Sequence, residues 1–187
     1  MEIKEKEIGV KERLVLSGLA ELDEYGIRDF SLRRVAARAE VSCAAPYRHF
    51  KDKELLILAV IAHVREGWNL LADNIASVYS DDHVGRIVEL SASAVRFWIG
   101  NGSFRAALLT GKSEADEIRR REISLFDEPI ISAIREYASH IGKDPEELSF
   151  KVISMIYGTV TLVAAGILEM NEGLLKLRKI LKNICLY

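Results

Sequence analysis

Proline is scarce, three in 187 residues, so nearly every position can donate the N–H that a helix needs. Only two cysteines occur, Cys43 and Cys185, near opposite ends. They form neither a CxxC pair nor a disulfide framework, which fits a reducing cytosol. Aromatic residues make up 7%, and β-branched residues rarely alternate with polar ones, so an all-β chain has little support. A charge excess of one sign is missing too. The net charge of −2 excludes a uniformly basic nucleic-acid coat but not a local basic surface. The opening MEIKEKEIGV lacks the apolar core of a signal peptide, so the expected location is cytoplasmic. The uncharged run Val152–Leu168 has 17 residues, short of the roughly 20 that a membrane span needs. It reads as a helix buried on all sides in protein, with no membrane partner. The four histidines (His49, His63, His83, His140) lack ligand spacing, and no GxSxG, HExxH, Walker or GxGxxG sequence is present. No catalytic residue, metal or cofactor is therefore assigned.

What the chain has in quantity is apolar residues at helical spacing. From about Lys4 to Tyr25, the residues Val15, Gly18, Leu19 and Leu22 fall on one face, and Gly26 stands where a left-handed glycine ends a helix. Ser31 is placed to cap a short helix with Leu32, Val35, Ala36 and Ala39 inward and Arg33, Arg34 and Arg38 elsewhere. A turn of Glu40, Val41 and Ser42 leads into a third helix over Cys43–Phe50, capped by Ser42, with Pro46 in its first turn. Asp52 caps a long fourth helix from about Lys53, on which Leu56, Val60, His63, Val64, Gly67, Trp68 and Leu71 share a face. Ser80-Asp81-Asp82 caps a helix reaching about Ile99. A short helix over 103–110 should stop at Gly111, and a long one should run from Ser113 to about Ile141, kinked at Pro129. Two more should cover about Pro145–Met170 and Glu172–Ile184. The expectation is an all-α chain of about nine helices.

Helix, three-residue turn, helix is the layout of a helix-turn-helix. Charge concentrates there: from Arg28 to Lys53 stand seven basic and three acidic residues, +4 in 26 residues, leaving −6 for the other 161. A charge run can be a solvated face, but phosphate contact requires local positive charge. The residues themselves are more telling. The segment SLRRVAARAEVSCAAPYRHFKDKELL resembles the DNA-binding domain of the TetR family of ligand-responsive transcriptional repressors, over about Val10–Leu56. The matching features are Ser31, Arg33, Val41-Ser42, Tyr47-Arg48-His49-Phe50, Lys53 and Leu55-Leu56. One departure is Glu40, where the family usually has glycine; a non-glycine residue in a left-handed turn costs roughly 1 kcal/mol.

The resemblance implies residues 1–52 as an N-terminal three-helix helix-turn-helix domain and 53–187 as a C-terminal helical ligand-binding and dimerisation domain. It implies a homodimer on a pseudo-palindromic double-stranded DNA operator, controlled by a small organic effector. Tyr47, His49 and Lys53 match positions that hold phosphates, and Ser31 and Ser42 cap the two helices. Arg33 matches a position that often reaches a guanine edge. Cys43, Ala44 and Ala45 are expected to face the groove, where they can read thymine methyls but few hydrogen-bond patterns, so specificity leans on Arg33, Arg48 and DNA shape. Cys43 at a helix start could be a redox-sensitive thiol; a small groove-facing residue is the preferred reading.

Two stripes suggest pairing. Ser154, Gly158, Thr161 and Ala165 form a small-residue stripe, and Leu174, Leu177, Leu181 and Ile184 an apolar one; together they would build a four-helix dimer interface. The candidate effector pocket comprises His63, Trp68, Phe97, Trp98, Phe104, Phe126, Met155 and Tyr157, residues that are each more often plain core than a ligand contact. Arg96 and Arg105 near these aromatics hint at an anionic group on the effector. The alternatives weighed are a constitutive DNA-binding protein without effector and a small helical enzyme or metal protein.

Overall fold

The structure, a computed structural model, describes residues 8–102, 105 and 116–186. The expected helix over 103–110, its Gly111 stop, the Ser113 start and Phe104 lie outside them. Eight helices stand among the described residues, with no strand: α1 (Val10–Tyr25), α2 (Leu32–Arg38), α3 (Ala45–His49), α4 (Lys53–Val78), α5 (His83–Gly100), α6 (Asp116–Ile141), α7 (Pro145–Ala164) and α8 (Met170–Leu186).

Local chemistry sets most of the boundaries. The Ser31 side chain accepts from Arg34 N at 3.4 Å, Asp52 from Leu55 N at 2.9 Å, Asp82 from Gly85 N at 2.7 Å and Asp144 from Glu146 N at 2.9 Å, so four helices begin on a side-chain cap. Gly26 ends α1 at φ 71° and ψ 179°, a region open essentially to glycine alone but not the left-handed helical one expected. α6 continues through Pro129.

α5 is the hub. It packs on α4, α6, α7 and α8, and Ile87, Val88, Leu90, Ala92, Ala94, Val95 and Trp98 are all buried. The helix enclosed on most sides is therefore α5, not the 152–168 run. α7 buries Leu148, Val152, Ile156 and Val160, whereas Ser154, Gly158, Thr161 and Leu162 remain exposed. α7 also ends early, because Gly166 takes φ 69° and turns the chain, with Ile167 N donating to Leu162 O. By length and composition alone α4 and α7 could cross a membrane; both contribute buried side chains to the helical body.

α4 joins the two ends of the molecule: it packs on α1 and on α5 and α6. Its buried side is Leu56, Ile57, Val60, Ile61, Val64, Trp68 and Ala72, so the expected face is rotated and Gly67 and Leu71 are exposed. The approach to α1 is close, since a Cβ on Gly18 would stand 2.9 Å from a Val60 methyl.

α8 corrects the interface reading. Leu174, Leu177 and Leu181 are 2%, 2% and 0% exposed and belong to the core of the chain itself. Their stripe is the face α8 turns toward α5 and α7. Leu175 and Ile180 are the exposed apolar residues of that helix, at 68% and 45%.

Candidate nucleic-acid interface and sensor core

The helix-turn-helix takes shape from α2, the turn and α3. Val35, Ala36 and Ala39 of α2 are buried, and Arg33 stands exposed beside them. Glu40 takes φ 55°, alone among the described non-glycine residues in having a positive φ. The turn thus keeps the left-handed geometry usually supplied by glycine, at the cost of a Cβ.

α3 is shorter than the sequence suggests. It spans Ala45–His49, with Ala44 at the N-cap position and no side-chain cap hydrogen bond, so Ser42 is not its cap. Ser42 contributes its carbonyl instead, accepting from Ala45 N at 2.9 Å. Pro46 sits in the first turn and Phe50 is buried where the helix ends. Ala45 is only 7% exposed and packs inward, which removes it from the groove-facing set. Ser42, Cys43, Ala44, Tyr47, Arg48 and His49 are exposed, Tyr47 at 63%.

Two of the expected DNA contacts also have internal partners. The Ser31 side chain serves α2 as its cap. Lys53 Nζ lies 3.5 Å from Arg28 O and 5.7 Å from the Phe30 ring centroid, tethering the start of α4 to the loop before α2. Arg38 pairs with Glu24 at 2.5 Å.

One pair that sequence reasoning passed over anchors this domain. Glu21 of α1 is fully buried, and its Oε1 accepts from Ser31 N at 3.0 Å and from Arg34 Nε at 2.8 Å. Arg34 also stacks on Tyr25, 4.0 Å from the ring centroid, and donates to Asp29 O. The signal was available: Glu21 stands seven residues after Leu14, on the inward face of α1. The pair fixes the start of α2, and with it Arg33.

In the helical body the structure gathers five of the eight pocket candidates. Ring centroids lie 5.5 Å apart for Trp68 and Phe97, 5.7 Å for Phe97 and Trp98, 5.3 Å for Trp98 and Phe126, and 6.0 Å for Trp98 and Tyr157. Trp68 Nε1 donates to Phe126 O at 2.9 Å. Met155 instead lines an open groove of about 930 Å³ between α7 and α8, with Ser154, Phe150 and Ile180. His63 is half-buried on α4.

The charge beside the rings is negative. Asp127 is 8% exposed and accepts from Tyr157 Oη at 3.2 and 3.3 Å. Burial pushes its carboxyl up to about 6, with the Tyr157 hydrogen bond pulling the other way. The same burial and the neighbouring carboxylate raise the Tyr157 hydroxyl far above its ordinary value. Arg105 Nη1 donates to the Trp98 carbonyl at 2.5 Å and Arg96 is exposed, so the anionic-effector hint from these two arginines has no geometric support. Among the described residues no group of three or more His, Cys, Asp or Glu is placed to hold a metal.

An exposed third helix on a three-helix unit, joined to an aromatic-lined bundle, has the layout of a helix-turn-helix. Residues 14–60 match the model of the bacterial regulatory proteins, tetR family. Over those residues the chain is similar to that family. Its fold is shared by solved structures of low identity. A transcriptional regulator of the TerR/AcrR family from Aquifex aeolicus VF5 is 23% identical at a TM-score of 0.69, with 94% of this chain and 99% of that one covered. A TetR/AcrR-family regulator from Thermobifida fusca YX-ER1 is 18% identical at 0.71, covering 92% and 96%. FadR from Bacillus subtilis, in complex with stearoyl-CoA, is 14% identical at 0.70, covering 92% and 96%. No curated protein matches the sequence.

Proposed function

We propose that this chain is a cytoplasmic repressor. Two copies bind a pseudo-palindromic double-stranded operator, and a small organic effector bound in the helical body alters that binding. Residues 1–52 form the DNA-binding domain and 53–187 the effector and dimerisation domain. The observation that carries the reading is the exposed set Arg33, Cys43, Ala44, Tyr47, Arg48 and His49 on a unit whose α1 is locked against α4. Ser42 and Lys53 flank this set as phosphate contacts, Lys53 through the Nζ protons not used by Arg28 O. FadR in complex with stearoyl-CoA supports the effector part, since the same fold there holds a small molecule. The proposed role is regulation without turnover.

The exposed stripe Ser154, Gly158, Thr161 and Ala165, with Leu175 and Ile180 in place of the buried leucines, forms the proposed dimer face. Small residues let two helices approach closely. A two-fold pair then presents recognition helices about 34–36 Å apart, or a multiple, to successive major grooves.

The test separates base reading from phosphate holding. Arg33→Ala should relax preference among duplexes drawn from a random pool, by about 1–3 kcal/mol at one base pair. Lys53→Ala should weaken all duplexes alike and flatten the salt dependence by about one phosphate contact. Equal shifts of specificity in both variants would refute these roles.

A further inference from the structure

We propose that Trp68, Phe97, Trp98, Phe126 and Tyr157, closed on one side by Asp127, form a site for an organic cation, an aromatic or quaternary ammonium compound. The inference rests on the effector-controlled reading above and names the chemical class of the effector.

The argument starts from an imbalance of charge. An ionised carboxylate offers about four acceptor positions, and among the described residues Asp127 receives one hydroxyl, shared between its two oxygens at 3.2 and 3.3 Å. Among the described residues no ion pair compensates it, whereas three less buried carboxylates of this body are paired: Glu122 with Arg65, Glu136 with Arg86 and Glu89 with Arg178. A buried charge without a counter-ion is unfavourable, and an amide or an apolar side chain would serve a purely structural role better. A buried titratable group in that state is a candidate functional position.

The surroundings select the sign of the missing partner. The faces of aromatic rings carry negative potential and attract cations, most strongly where water is excluded. Trp68, Trp98 and Phe126 are 1–2% exposed. An anion would meet the carboxylate as a like charge. A neutral compound would leave the carboxylate unanswered. A cation satisfies carboxylate and rings together.

The rings already touch, with centroids 5.3–6.0 Å apart, so a ligand enters by parting them. Trp68 comes from α4, Phe97 and Trp98 from α5, Phe126 and Asp127 from α6 and Tyr157 from α7. Parting them displaces the distal half of α4, whose proximal half lies against α1 at Gly18 and Val60. Occupancy is thereby linked to the position of the helix-turn-helix.

The test uses the full-length chain, whose two tryptophans both belong to the site. Benzyltrimethylammonium is titrated against its neutral isostere 2,2-dimethylpropylbenzene and against phenylacetate, with tryptophan emission as readout. The expected result is saturable quenching by the ammonium compound, with about ten-fold or greater preference over both others. Asp127→Asn should abolish that preference, and Glu128→Gln, at an exposed neighbour outside the ring cluster, should keep it. Failure of the ammonium compound to saturate, equal binding of the neutral isostere, or an unchanged preference in Asp127→Asn would each overturn the proposal. DNA binding without probe is measured alongside. A chain that binds no inverted repeat sinks the regulator reading and leaves the cation result standing. A chain that binds one but prefers the neutral compound sinks the cation proposal alone.

Discussion

Replacing Asp127 with asparagine should make the protein less stable near pH 4 and more stable near pH 8, the difference rising with pH. Burial lifts the folded-state carboxyl from 3.8 to about 6. Between those values the folded chain holds a proton that the unfolded chain has released. Wild-type stability therefore falls with rising pH through this window, is highest in this respect below about 4 and levels off above about 7. Lifting the carboxyl that far corresponds to roughly 3 kcal/mol once the group is ionised. Asparagine keeps the shape and the acceptor for Tyr157 but buries an NH₂ that lacks a partner, costing about 1–2 kcal/mol at every pH. The difference between variant and wild type should thus begin negative near pH 4, rise by roughly 3 kcal/mol, and end at a gain of about 1–2 kcal/mol near pH 8. For a chain of this length that gain raises Tm by about 2–8 °C. Urea denaturation at intervals from pH 4 to 8 measures it, and the rise of the difference curve, which the constant offset cannot affect, is the quantity to compare. A flat or falling difference curve would refute the reasoning and mean that Asp127 is compensated in the folded chain.

Other substitutions probe separate parts of the account. Gly158→Arg should convert a dimer to a monomer without loss of helix, because a Cβ there meets nothing within 4 Å in the single chain; an unchanged mass by light scattering would move the interface off α7. Glu21→Ala should lower stability by about 1–3 kcal/mol by removing the partner of Ser31 N and Arg34, seen as an earlier urea midpoint. A change below about 0.5 kcal/mol would make the pair idle. Glu40→Gly should keep specific DNA binding and raise stability by roughly 1 kcal/mol by relieving the φ 55° turn, whereas a loss of stability would mean that the side chain contributes there.

The parts of the fold legible in the sequence are those governed by neighbours in the chain. Asp52, Asp82 and Asp144 act as caps because a short acceptor beside three orphan N–H groups has one good use. The helix-turn-helix was readable for the same reason, its cap, turn and proline being local. What depended on packing was less legible. Leu174, Leu177 and Leu181 form an apolar stripe whether it faces α5 and α7 or a second subunit, and periodicity does not say which. Gly166 lies in an uncharged run and resembles a helix-interior glycine until its positive φ is seen. Ala45 and Ala44 are chemically alike, yet one turns inward and the other out. Asp127 stands between Phe126 and Glu128 like any charge on a polar helix, and only the approach of α7, with Tyr157, shows that it is enclosed.

Sequence-specific binding by a pair of chains is the claim on which the rest depends. Selection of bound duplexes from a random library, repeated at two salt concentrations, tests it directly. The predicted result is an enriched inverted repeat, with half-sites one helical turn or a multiple apart, and affinity that falls steeply with salt. Binding without enrichment, or no binding at low salt, would contradict it.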